Sequence, residues 1–226
     1  MNSPFIPSKR PGGRHDLVYL GPQGWRATLA AQGDLADASL VARWRQEGWP
    51  MIRRRATPGE PEGVALGLPL PPSAGKRRLS FLAQPDDIVS VARPPLLKSA
   101  DASAPLAWRP TLKRLGELAQ RHSVEARVFG SLAWRTLTGL DYLTDRSDLD
   151  LLLELRRETD IDRLTADMAV IQADAPVRLD GELMRDDGAA ANWRELHAGA
   201  AEVLVKSIDA VGLLDRDHFI SGRSLS

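Results

Sequence analysis

Two small α/β (α+β) domains are the architecture that the sequence predicts, and three observations predict it. The chain has 226 residues, enough for one large domain or two small ones. Its content, 43% hydrophobic and 27% charged, is that of a folded globular protein. Strand-like and helix-like segments alternate on both sides of a proline- and alanine-rich stretch, RPPLLKSADASAPL (93–106), which carries neither period. The expected division is an N-terminal α/β domain over 1–95, a linker over 96–106 and a second domain over 107–226.

Residues 1–14 read as a polar arm rich in proline and glycine. DLVYL (16–20) is a short strand. GDLADASLVARWRQEG (33–48) is a helix, with Asp34 as its cap, Leu40, Val41 and Trp44 on one stripe, and Gly48 as its stop. PMIRRRA, EGVALGLPLP, the segment after AGKRR and DIVSVARPP read as strands separated by proline–glycine turns. The turn at Pro71–Gly75 leads into a basic cluster, Lys76, Arg77 and Arg78.

In the second half, TLKRLGELAQRH is an amphipathic helix with Leu112, Leu115 and Leu118 aligned. EARVFG is a strand running into Gly130, SLAWRTLTG a short helix, and DLDLLLEL a strand. TDIDRLTADMAVIQ is a helix with Thr159 as cap, APVRLDGEL an alternating strand, and AEVLVKSIDAVGLL a strand or a helix carrying Lys206.

Composition narrows the chemistry. Lysine plus arginine equals aspartate plus glutamate, 30 each, so no global charge draws the chain to nucleic acid or to a membrane. The absence of cysteine excludes disulfides, thiolate metal sites and cysteine nucleophiles. No apolar run has the length of a signal core or a membrane span, so a cytoplasmic protein is expected.

The candidate site begins with RSDLDLLLEL (146–155). Residues i and i+2 of a strand face one side about 7 Å apart, so Asp148 and Asp150 share a face while Leu149, Leu151 and Leu153 enter a core. Two such carboxylates repel unless a cation lies between them, and a hard divalent ion, Mg²⁺ or Mn²⁺, supplies it. In VRLDGEL, Arg178, Asp180 and Glu182 share a face, and Asp180 completes the metal set if the two strands are neighbours. Upstream, RVFGSLAWRT is a strand, a Gly-Ser turn and a helix start. Gly130 there allows close backbone approach, and Ser131 is both helix cap and phosphate ligand. The ordered set describes phosphoryl or nucleotidyl transfer.

From Gly130 to Asp180 the chain resembles the nucleotidyltransferase superfamily of the DNA polymerase β type, which implies a mixed sheet flanked by helices. Sixteen residues separate Ser131 from Asp148, and TLTGLDYLTDRSDLDLLLEL is similar to one narrower family with such an insert. That family is the phosphoribosyl-dephospho-CoA transferases, the holo-acyl-carrier-protein synthases of malonate decarboxylase. RHDLVYL, GWPMIRRR, LGLPLPPSAGKRR, RLDGEL and VLVKS extend the resemblance over nearly the whole chain.

The resemblance implies transfer of phosphoribosyl-dephospho-CoA from triphosphoribosyl-dephospho-CoA to a serine of the decarboxylase's acyl carrier subunit, with loss of pyrophosphate. It makes Asp148 and Asp150 the catalytic metal pair, Asp180 the third ligand or general base, and Gly130 and Ser131 the holders of the β- and γ-phosphates. Lys206 becomes a phosphate partner. Lys76, Arg77 and Arg78 become a grip for the dephospho-CoA phosphates or for an acidic carrier. The residues also leave open an adenylyl transferase using ATP, the citrate lyase carrier as acceptor, and a binding protein that keeps the fold without catalysis.

Overall fold

The computed structural model of the chain describes residues 13–30 and 39–222. It divides into two compact units, residues 1–94 and 95–226. The polar arm up to residue 12 and the cap expected at Asp34 lie outside the described residues.

The first unit contains β1 (Leu17–Leu20), α1 (Pro22–Ala30), α2 (Ser39–Gln46), β2 (Met51–Arg53), β3 (Val64–Pro69), β4 (Arg78–Ala83) and β5 (Ile88–Ala92). The strands form one antiparallel sheet in the order β4-β3-β2-β1-β5. Val64 to Leu68 are buried without alternation, as a strand covered on both faces requires. In α2, Val41 and Trp44 are buried, and the indole of Trp44 donates to the Pro50 carbonyl at 2.9 Å. The helix α1, unread in the sequence, buries Trp25, Thr28 and Leu29. The Pro71–Gly75 turn closes as a 3-10 turn at Pro72–Ala74, after which Gly75 and Lys76 both adopt left-handed backbone. Lys76, Arg77 and Arg78 are exposed.

The second unit contains α3 (Arg109–Arg121), β6 (Glu125–Val128), α4 (Gly130–Thr138), β7 (Leu149–Glu154), α5 (Ile161–Asp174) and β8 (Leu179–Met184). It continues with β9 (Ala190–Asn192), α6 (Trp193–His197), β10 (Glu202–Lys206), β11 (Val211–Asp215) and α7 (Arg216–Ile220). Its six-stranded sheet runs β11-β10-β9-β8-β7-β6. The pair β7 and β8 is parallel and joined through α5, and the other pairs are antiparallel. The sheet is therefore mixed. Leu149, Leu151, Leu153, Leu179 and Leu183 enter the core with Leu112, Leu115 and Leu118 of α3 and Leu164 and Met168 of α5. Gly181 sits on this face because a β-carbon there would meet the Trp193 ring at 2.8 Å.

Three expectations differ from the structure, and the strand-or-helix alternative around Lys206 resolves as strand. Residues 96–106 are not a bare linker: three 3-10 turns, Leu97–Ser99, Asp101–Ser103 and Leu106–Trp108, place Leu97, Ala100, Ala104 and Trp108 in the core. Burial of a few small residues without a period leaves no pattern to read. The cap of α5 is Asp160, which accepts from Arg163 N at 3.0 Å, while Thr159 accepts instead from Arg156 N. Ser131 lies inside the first turn of α4, whose cap position is Phe129. The segment around Lys206 is a hairpin, β10 with β11.

Candidate active site

The parallel register of β7 and β8 sets Asp150 directly beside Asp180, with Leu149 beside Leu179 and Leu152 beside Glu182. Neighbouring strands lie about 4.8 Å apart, so the acidic groups of both strands line one face of the sheet. The same face carries a small apolar patch of Leu152, Met184 and Ala190, packed by Phe129.

On the other flank, β6 delivers the Gly-Ser turn. Phe129 N donates to the carbonyl of Asp150 at 3.1 Å, tying the turn to β7. Gly130 is left-handed, φ 61°, and a β-carbon on it would stand 1.8 Å from Oδ2 of Asp150. The turn and the carboxylate thus pack at a distance only glycine permits. The backbone N–H of Ser131 donates to Asp150.

Each acidic group meets a different partner. Asp148 Oδ2 accepts from Arg178 at 3.3 Å, an exposed pair at the strand entrance. Asp180 Oδ1 accepts from Asn192 Nδ2 at 2.9 Å. Glu182 is buried, with Lys206 Nζ 3.9 Å from its Oε1. Burial first, and then the charges of Asp180 and Asp148, push the Asp150 carboxyl up to about 7, against a partial pull from the Ser131 N–H. The site therefore holds a surplus of negative charge centred on Asp150.

That oxygen-rich, over-negative donor set fits a hard divalent cation in chemistry. Among the described residues, however, no group of three or more His, Asp or Glu side chains is gathered as a metal cluster. Arg178 and Asn192 hold one oxygen each of Asp148 and Asp180.

The structure brings together Asp148, Asp150, Asp180, Gly130 and Ser131, and places Lys206 at the edge through Glu182. Lys76, Arg77 and Arg78 belong to the other unit. Sequence reading assigned nothing to Asn192. It caps α6 by accepting from Arg194 N at 2.9 Å while its amide reaches Asp180. An asparagine before an apolar-polar run, NWREL, is a cap signal, but a cap signal does not reveal that the other end of the amide touches a carboxylate. Strand alternation puts Arg178 on the face of Asp180 but gives it no role, because its partner lies 30 residues away.

Two family models match the chain. The phosphoribosyl-dephospho-CoA transferase MdcG N-terminal domain matches residues 13–94, and the C-terminal domain of the same transferase matches residues 95–217. A phosphoribosyl-dephospho-CoA transferase of Bradyrhizobium diazoefficiens is 64% identical over 222 residues, covering 98% of each chain. Relatives of the same name from Xanthomonas euvesicatoria and Xanthomonas axonopodis are each 38% identical, over 94% of this chain and 98% of their own. No solved structure matches. Both units and the acidic face between Gly130 and Asn192 fall inside the matched regions, and the chain belongs to the phosphoribosyl-dephospho-CoA transferase family.

Proposed function

We propose that the chain transfers phosphoribosyl-dephospho-CoA from triphosphoribosyl-dephospho-CoA to a serine hydroxyl of the acyl carrier subunit of malonate decarboxylase. The serine oxygen bonds to the α-phosphorus, the anhydride bond between the α- and β-phosphates breaks, and pyrophosphate departs. The observation that carries the reading is the packing of Gly130 and Ser131 against Asp150, with Asp180 in register beside it.

In this reading Asp148, Asp150 and Asp180 hold Mg²⁺ or Mn²⁺. A bound divalent ion supplies charge neutralisation at the reacting phosphate and lowers the pKa of the incoming hydroxyl. Gly130 and Ser131 present the start of α4, where backbone N–H groups and the helix dipole favour the β- and γ-phosphates. Asn192 fixes one oxygen of Asp180 and leaves the second for a ligand bond or for the serine proton. Lys206 offsets Glu182 and lends positive charge to the phosphates at the rim. On the N-terminal unit, the exposed Lys76, Arg77 and Arg78 meet an anionic partner, the dephospho-CoA phosphates or the carrier. The name that the relatives and the family models share, phosphoribosyl-dephospho-CoA transferase, supports the transferred group, and the decarboxylase carrier as acceptor rests on the sequence resemblance.

The test is pyrophosphate release in the presence of donor, apo-carrier and Mg²⁺. Asp148→Asn, Asp150→Asn and Asp180→Asn should each lower it at least roughly 100-fold with an unchanged circular dichroism spectrum. Wild-type rates in any one of them would remove that residue from the site.

A further inference from the structure

Resting on this transfer reading, we infer that a cleft beside Asp148 is the subsite for the nucleoside-phosphate arm of the donor, gripped by Arg178 and Arg146. The cleft has a volume of about 380 Å³, within the range that encloses small ligands. Its polar wall is the Thr144–Asp148 turn with Arg146 and Ser147, closed by Arg178. Pro105, Trp108 and Val177 form an apolar wall suited to a flat base.

Position decides what binds here. Gly130 and Ser131 flank the carboxylates from the β6 side, since a β-carbon on Gly130 would touch Asp150. The cleft opens at the entrance of β7 and β8, where Asp148 faces Arg178. A donor whose triphosphate lies along the start of α4 with its α-phosphate at the carboxylates must carry its remaining portion away from that helix. The cleft shares Asp148 with the acidic face, so it adjoins the place where that portion begins.

Arg178 is suited to an exchange of partners. Its ion pair with Asp148 is 3.3 Å long, with side-chain exposures of 61% and 36%, and a pair so exposed is held weakly. When Asp148 turns to a cation, the guanidinium is released at the lip of a cleft that Arg146 also lines. Guanidinium groups bind phosphate oxygens in bidentate fashion. The ligand class is a nucleoside 5′-diphosphate ester, here the dephospho-CoA moiety.

The two phosphate segments of the donor can be separated experimentally. Isothermal titration calorimetry on the full chain, with Mg²⁺ present throughout, would use dephospho-CoA as one probe and inorganic tripolyphosphate as the other. Neither probe requires turnover. Arg146→Ala and Arg178→Ala should weaken dephospho-CoA binding about tenfold each and leave tripolyphosphate within about twofold. Arg178→Lys, which keeps the charge but not the fork, should fall between wild type and alanine. Arg114→Ala, which removes an exposed arginine paired with Asp174 elsewhere on the unit, should leave both affinities unchanged. Unaltered dephospho-CoA affinity in both cleft variants would overturn the subsite. So would loss of that affinity only on replacing Lys76, Arg77 and Arg78, or failure of wild type to bind dephospho-CoA. If the transfer reading fails while the cleft variants still lose dephospho-CoA, the subsite stands without it.

Discussion

At Gly130 two constraints meet, a left-handed backbone and contact with Asp150. Alanine there costs about 1–2 kcal/mol from conformation alone, and it must also displace the carboxylate. Gly130→Ala should therefore abolish transfer and lower the melting temperature, a paired loss readable by activity assay and thermal unfolding. Asp150 carries the opposite signature. Its native carboxyl holds its proton up to about 7, above the ordinary carboxylate value. The native state thus binds more protons than the unfolded chain between about pH 4 and 7, and stability falls as pH rises through that window. In metal-free protein, Asp150→Asn should raise the melting temperature by a few degrees at pH 8 and by less at pH 5. Equal shifts at both values would contradict the charge surplus. Asn192 separates two roles in one side chain. Asn192→Ser keeps a helix cap and loses the amide that reaches Asp180. It should retain a near-wild-type melting temperature while kcat falls; full activity would make the contact incidental.

The elements explain why some of this was legible beforehand and some not. The alternation in β7 and β8 put Asp148 and Asp150, and likewise Arg178 and Asp180, on one face, because a strand has a period of two. The parallel pairing that sets Asp150 against Asp180 is a tertiary fact reached through α5, and the sequence supported it only as a conditional. The partners of these residues could not be read at all: Arg178 to Asp148 spans 30 residues and Asn192 to Asp180 spans 12. The cap of α5 is Asp160, one residue beyond the Thr159 that the pattern favours, since both side chains have capping chemistry. The hairpin of β10 and β11 stayed ambiguous because its apolar residues fit either period. At the chain's end, Arg185 on the loop after β8 donates to the carbonyls of Phe219 at 3.3 Å and Gly222 at 3.0 Å and stacks over the Phe219 ring. Arg185→Met should destabilise the unit by roughly 1–3 kcal/mol, by leaving those carbonyls without their donor. Chemical denaturation measures it.

On the scale of the molecule, the division between units falls at Pro94 and Pro95, and residues 95–108 belong structurally to the second unit. Val128 N donates to the Pro95 carbonyl at 2.9 Å, and Leu96 bridges to Arg127, so this segment extends the sheet beyond β6. A fragment of residues 95–226 should unfold cooperatively. A fragment starting at residue 107 loses Leu97, Ala100 and Ala104 from its core, with about 1.5–3 kcal/mol for Leu97 alone, and should melt lower or not fold. Among the described residues no helix is long and apolar enough to cross a membrane. The central claim, that the acidic face of the second unit transfers phosphoribosyl-dephospho-CoA to a carrier serine, is tested most directly by intact-mass spectrometry. The apo-carrier subunit of malonate decarboxylase would be incubated with the protein, Mg²⁺ and either triphosphoribosyl-dephospho-CoA or ATP. A mass gain equal to phosphoribosyl-dephospho-CoA, absent with EDTA and with Asp150→Asn, is the predicted result; a gain of AMP alone, or no gain from either donor, would contradict it.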